Sequence, residues 1–293
     1  MKRNLFVLIV MAVLTAFAVP ARSEPLAVFV SVLPQKFFVE AIGGERVAVS
    51  VMVPPGASPA TYEPRPQQMG ELARARLYFA VGVPFEEAWL DRLGAANRSM
   101  AIIATEEGIE RRAMASHRHD HDQGHEMTKR SGLDPHVWLS PRAVLTQGRN
   151  ILRALVSADP EGAATYRENY RRFARDVVAL DLELMERLRP LEGSSFMVFH
   201  PSWGYFADDY GLIQRAVEVE GKEPKAGELA ALIDEVRREK IAVIFVQPQF
   251  SRKAAETLAR AAGAGVETLD PLAEDWDENL RRVAEALLSS RRP

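Results

Sequence analysis

Short, nearly unbroken apolar runs alternate with longer stretches in which apolar residues recur every three or four positions. The runs at residues 26–32, 47–53, 77–82 and 100–103 predict strands buried on both faces, because a half-solvated strand would carry polar residues at every second position. Residues 67–75 and 84–93, between them, predict helices. The same style returns later, with strands at 195–199, 241–246 and 266–269 and helices at 225–238, 252–262 and 277–288. Alternating strands and helices build mostly parallel sheets, so the expected fold class is α/β, in two lobes.

Between the lobes the pattern is purely helical. Tyr166, Tyr170, Phe173, Val177, Leu180, Leu184 and Leu188 are spaced by three or four residues; Asp159 and Pro160 precede them as N-cap and first-turn proline, and Pro190 ends the run. A helix over 159–190 is roughly 45 Å long, enough to run beside both lobes as a stiff spine. A single helix belonging to one lobe is the plainer alternative. Residues 24–158 then form the N-terminal lobe and 191–293 the C-terminal lobe. From 111 to 132 the period stops in "RRAMASHRHDHDQGHEMTKRSG", which predicts a solvated, mobile loop.

The first 23 residues have a different logic. Lys2 and Arg3, an apolar run from Leu5 to Val19 and "ARS" before Glu24 form a signal peptide pattern, with cleavage expected after Ser23. The protein is therefore expected in the periplasm. The chain has no cysteine, which removes disulfides, thiolate chemistry and a lipid-attachment site together. Net charge is −3 with both signs interspersed, so neither nucleic acid nor an anionic membrane is an expected partner, and no membrane insertion is expected.

Without thiols, a metal site must be built from imidazole and carboxylate. His200 ends the run "SFMVF" and Asp270 ends "VETL", each followed by proline, and strand ends in open α/β sheets face the binding crevice. His136, in "LDPHVWLSP", would arrive from the first lobe. Each residue also has a plain structural role open to it, since a histidine or aspartate beside proline commonly caps or turns the chain.

"GASPATYEP", "DPHVWLSP", "FHPSWGYFADDYGL", "QPQFS" and "LDPLAED" together resemble the solute-binding proteins of zinc and manganese ABC transporters, the ZnuA/TroA-like family, in order and approximate spacing over essentially the whole chain after the leader. The resemblance implies two α/β lobes joined by one rigid backbone helix, with the metal between them, and metal ligands at His136, His200 and Asp270. It implies Zn(II) as the transported ion, with Mn(II) as the alternative, a membrane permease of an ABC transporter as partner, and a monomer. Histidine at position 200, where manganese-type members tend to carry glutamate, points to zinc.

One position departs from that pattern. Where most members have a histidine in "G-x-x-P-H-x-Y-E-P", this chain has Ala60. Water, Glu63 or a loop histidine are the candidates for the gap. His125 stands eleven residues before His136, and a flexible tether of that length spans roughly 18 Å. The four loop histidines His117, His119, His121 and His125 are expected to capture metal weakly, since recruiting each ligand orders more chain.

Other function classes fit less well. A metallohydrolase would use the open position, with Glu63, Glu218 or Glu220 as base. However, "HRHDHD" is not H-x-H-x-D-H, and H-E-x-x-H, G-x-S-x-G and G-x-x-x-x-G-K-S/T are absent. The protein is therefore not expected to be an enzyme. An adhesin or a zinc buffer acting without a transporter are the non-enzymatic rivals. Binding is expected to weaken as pH falls, because each imidazole must be neutral to ligate.

Overall fold

A computed structural model describes residues 24–114, 132–218 and 224–290. The leader, Glu220 and the loop histidines His117, His119, His121 and His125 lie outside the described residues.

The first sheet contains β1 (Leu26–Val30), β2 (Val47–Val51), β3 (Leu77–Ala80) and β4 (Ala101–Ala104), all parallel, in the order β2-β1-β3-β4. The second contains β5 (Ser195–Val198), β6 (Ile213–Ala216), β7 (Val243–Val246) and β8 (Gly265–Thr268), also parallel, in the equivalent order β6-β5-β7-β8. The helices are α1 (Leu33–Gly43), α2 (Pro66–Leu72), α3 (Pro84–Ala96), α4 (Pro141–Ala158), α5 (Ala163–Leu188), α6 (Gly204–Asp209), α7 (Ala226–Arg238), α8 (Arg252–Ala262) and α9 (Trp276–Ser289). The expected α/β class and two lobes are both present.

The predicted spine is α5. Asp159 caps a 3₁₀ turn, Pro160–Gly162, by accepting from the Gly162 amide at 3.3 Å, and α5 follows directly. Arg46 grips the same carboxylate at 2.8 and 2.9 Å, and the Tyr166 hydroxyl donates to it at 2.6 Å. Tyr166, Phe173, Val177, Leu180, Leu184 and Leu188 are buried along one stripe, while Tyr170, included in the sequence pattern, is only partly covered. A second 3₁₀ turn, Arg189–Leu191, receives Pro190.

Strand alternation divides the core of the second lobe. Phe196 and Val198 of β5, with Phe245 of β7, join a core continuous with α5 and the first lobe. Met197, Ile244 and Val246, on the opposite face of the same strands, join a separate cluster with α7 and α8 through Leu232, Val236, Ala255 and Leu258. One face of the second sheet thus shares its interior with the first lobe.

Polar bonds reinforce that seam. The Trp138 indole donates to the Pro271 carbonyl at 2.8 Å, and the Trp276 indole donates to the Trp138 carbonyl at 2.6 Å. The Tyr205 hydroxyl donates to the Asp134 carbonyl at 3.0 Å and accepts from the Arg112 amide at 3.1 Å. Arg112 also bonds the Gly204 carbonyl and the Asp208 carboxylate. A Cβ at Gly204 would lie 2.8 Å from Asp134 Oδ2 and 3.0 Å from the Arg112 guanidinium carbon, so a larger residue would displace these side chains.

Candidate metal site

The carboxyl edge of the second sheet builds half of the site through strand register. β5 pairs with β6 at Val198↔Ala216 and with β7 at Met197↔Ile244. Continuing both registers past the strand ends brings Glu218 and Gln247 to either side of His200. The bonds follow that placement. His200 Nδ1 lies 2.7 Å from Glu218 Oε1, the His200 amide donates to Gln247 Oε1 at 3.0 Å, and Gln247 Nε2 donates back to the His200 carbonyl at 2.5 Å.

His136 comes from the first lobe, at the head of the 3₁₀ turn Val137–Leu139 that leads into α4. Ser140 stops that turn and caps α4, its Oγ accepting from the Ala143 amide at 3.1 Å. Asp134 Oδ1 holds the histidine twice, through its amide at 3.0 Å and Nδ1 at 2.7 Å. Asp134 is 1 % exposed, so this pairing is well shielded.

The two imidazoles face each other across the lobe boundary, with ring centroids 5.2 Å apart and planes at 71°. A carboxylate only accepts hydrogen bonds, so Nδ1 of each ring carries its hydrogen towards Asp134 or Glu218 and each Nε2 keeps its lone pair. Carboxylate-backed imidazoles with Nε2 free are the arrangement found behind metal-bound histidines. Burial lowers the pKa of His136 from its ordinary 6.5, outweighing the bond to Asp134, which raises it; nearby His200 lowers it further. That ring therefore resists protonation. Aromatic groups flank the pair, with Trp138 edge-on to His136 at 5.2 Å and Phe250 stacked on His200 at 5.0 Å and 19°.

Asp270 follows β8, and its Oδ1 accepts from the Leu272 amide at 2.9 Å and from Gln249 Nε2 at 3.1 Å. Its carbonyl accepts from Asn279 at 2.7 Å. Among the described residues, no three histidine, aspartate or glutamate side chains form a group able to hold an ion. The structure therefore brings His136 and His200 together and leaves Asp270 on Gln249, without closing the trio. Glu63 is exposed on the loop after β2, as is Ala60, and neither belongs to such a group.

Sequence reasoning gave no role to Asp134, Gln247, Gln249 or Phe250, although they stand within "DPHVWLSP" and "QPQFS", and it considered Glu218 only as a base. The D-x-H spacing was a usable signal for Asp134. Nothing local marks Glu218, because its place depends on the β5–β6 register.

The family described as "Zinc-uptake complex component A periplasmic" matches residues 28–289. The high-affinity zinc uptake system protein ZnuA of Paracoccus denitrificans is 31% identical over 281 residues, covering 84% of this chain and 83% of that protein. Its namesake in Bacillus subtilis is 28% identical over 261 residues, covering 86% and 80%. A crystal structure of ZnuA superposes with a TM-score of 0.84 at 41% identity, covering 92% of this chain and 100% of that one. The chain belongs to the zinc-uptake component A family, whose members are solute-binding proteins for metal transport rather than enzymes.

Proposed function

We propose that this protein captures Zn(II) between its lobes in the periplasm and delivers it to the membrane permease of an ABC transporter. The observation that carries this reading is the facing pair of imidazoles, each backed by a buried carboxylate at Nδ1 and each with no hydrogen bond to Nε2 among the described residues. His136 and His200 supply nitrogen and Asp270 supplies carboxylate oxygen through Oδ2, which accepts no hydrogen bond among the described residues. Two imidazoles with one carboxylate suit zinc better than manganese, whose sites are richer in oxygen. A tetrahedral ion has a fourth position, which water fills in the absence of a histidine at Ala60. The protein acts as a monomer after removal of the leader. No helix among the described residues is long and apolar enough to cross a membrane.

The test is a chelator-competition zinc titration of wild type, His136→Ala and His200→Ala. Each variant should lose more affinity than the about 10–100-fold typical of a group outside the coordination shell. His200→Ala should also lose more than any single loop-histidine variant. Equal losses would move the principal site to the loop.

A further inference from the structure

The turn from Gln247 to Phe250 touches both candidate ligands of the second lobe. Gln247 brackets the His200 backbone, Phe250 covers the His200 ring, and Gln249 donates to the Asp270 carboxylate. This follows from the fold, since β7 and β8 are paired through Val246↔Thr268 and their continuations leave the sheet side by side.

We propose that Gln249 is the positioning residue for Asp270, fixing the plane of its carboxylate so that Oδ2 is presented to the ion while Oδ1 stays occupied. The inference rests on the reading of Asp270 as a ligand. Two donors of independent origin, the Leu272 amide and the Gln249 side chain, converge on Oδ1 at 2.9 and 3.1 Å. The Leu272 amide alone would leave the carboxylate free to swing about that single bond; the second donor restrains it. An amide is also suited to this task by charge. It satisfies one oxygen without neutralising the carboxylate, whereas lysine or arginine would compete with the cation and glutamate would repel Asp270.

The turn also links the two ligands to each other. Gln247 and Gln249 are two residues apart, so the distance from His200 to Asp270 is set through one short, proline-containing turn. Gln249 is half-buried and lies outside the hydrophobic core, which makes it replaceable without disturbing packing.

The test is a double-mutant cycle read by zinc competition titration, with Gln249→Ala made in wild type and in Asp270→Ala. Gln249→Ala should weaken zinc binding about tenfold in wild type and change nothing in the Asp270→Ala background. Cobalt(II) absorption supplies a readout that a general loss of stability would not move. The ligand-field bands of Gln249→Ala should shift towards those of Asp270→Ala. Wild-type affinity in Gln249→Ala, or an equal loss in both backgrounds, would overturn the proposal. Wild-type zinc affinity in Asp270→Ala alone would instead remove Asp270 from the ligand set, and the role of Gln249 with it.

Discussion

At Glu86, burial and hydrogen bonding pull in opposite directions. Its oxygens accept from the Val81 and Gly82 amides at 2.9 and 2.7 Å, which favours the charged form, yet the side chain is 3 % exposed. Burial wins and pushes the carboxyl from 4.5 up to about 7. A carboxyl whose folded pKa is raised adds stability that is complete below the unfolded value and is lost as pH rises through the folded one. Glu86 should therefore remove on the order of 3 kcal/mol of stability between the two limits. Thermal melts from pH 4.5 to about 7 should show a falling midpoint for wild type and a flatter one for Glu86→Gln. None of this is visible in "VPFEEAW", where Glu86 and Glu87 are equivalent on paper and only the fold buries the first. The site histidines show the same division. His136 and His200 were legible because their motifs are local, whereas the partner of His200 is 18 residues away and joined to it only by strand pairing.

Among the elements, legibility followed apolar content rather than burial, since the edge strands β4 and β8 were predicted as buried runs and are largely exposed. Central strands β1, β3, β5 and β7 stood out as apolar runs, with predicted ends within about two residues of the observed ones. β6 reads "IQRA" and was missed, because an edge strand covered on one side needs no apolar run. α1 was missed for the opposite reason. Its sequence "LPQKFFVEAIG" continues the apolar run of β1 with little interruption, and Pro34 in its first turn is the main sign of a change. The histidine-rich stretch poses a functional question at this scale. Its flanks are joined by an antiparallel bridge between Ala113 and Leu133, and the Met114 amide donates to the Gly132 carbonyl at 2.8 Å. A short Gly-Ser linker in place of residues 115–127 should thus leave the bridge intact. One tight zinc site should survive the replacement with unchanged affinity in a competition titration. Loss of that site would show that a loop histidine completes the shell.

Over the whole molecule, the shared core limits how the lobes can move. Opening the cleft widely would expose the face of the second sheet that carries Phe196, Val198 and Phe245, and would break both indole bonds between Trp138, Trp276 and Pro271. Exposing such side chains costs about 1.5–3 kcal/mol each, more than a marginally stable fold can absorb for several residues at once. Small-angle scattering profiles of apo and zinc-loaded protein should therefore superimpose; a clear contraction on loading would contradict the rigid seam. The stiff helix was readable from its period, but the continuity of the core was not. It depends on which face of β5 each residue takes, and on where α9 goes after leaving the second lobe.

The course of α9 also has a consequence in time. Trp276 lies against Phe37 and Phe38 of α1, with ring centroids 6.0 and 5.1 Å apart, and Leu280, Val283 and Leu287 extend the same wall. The first lobe is thus closed by a helix that follows it far along the chain. Its opening strands and helices must wait, incompletely covered, until more than two hundred further residues have emerged. The aromatic wall of α1 therefore cannot be buried until α9 has left the ribosome.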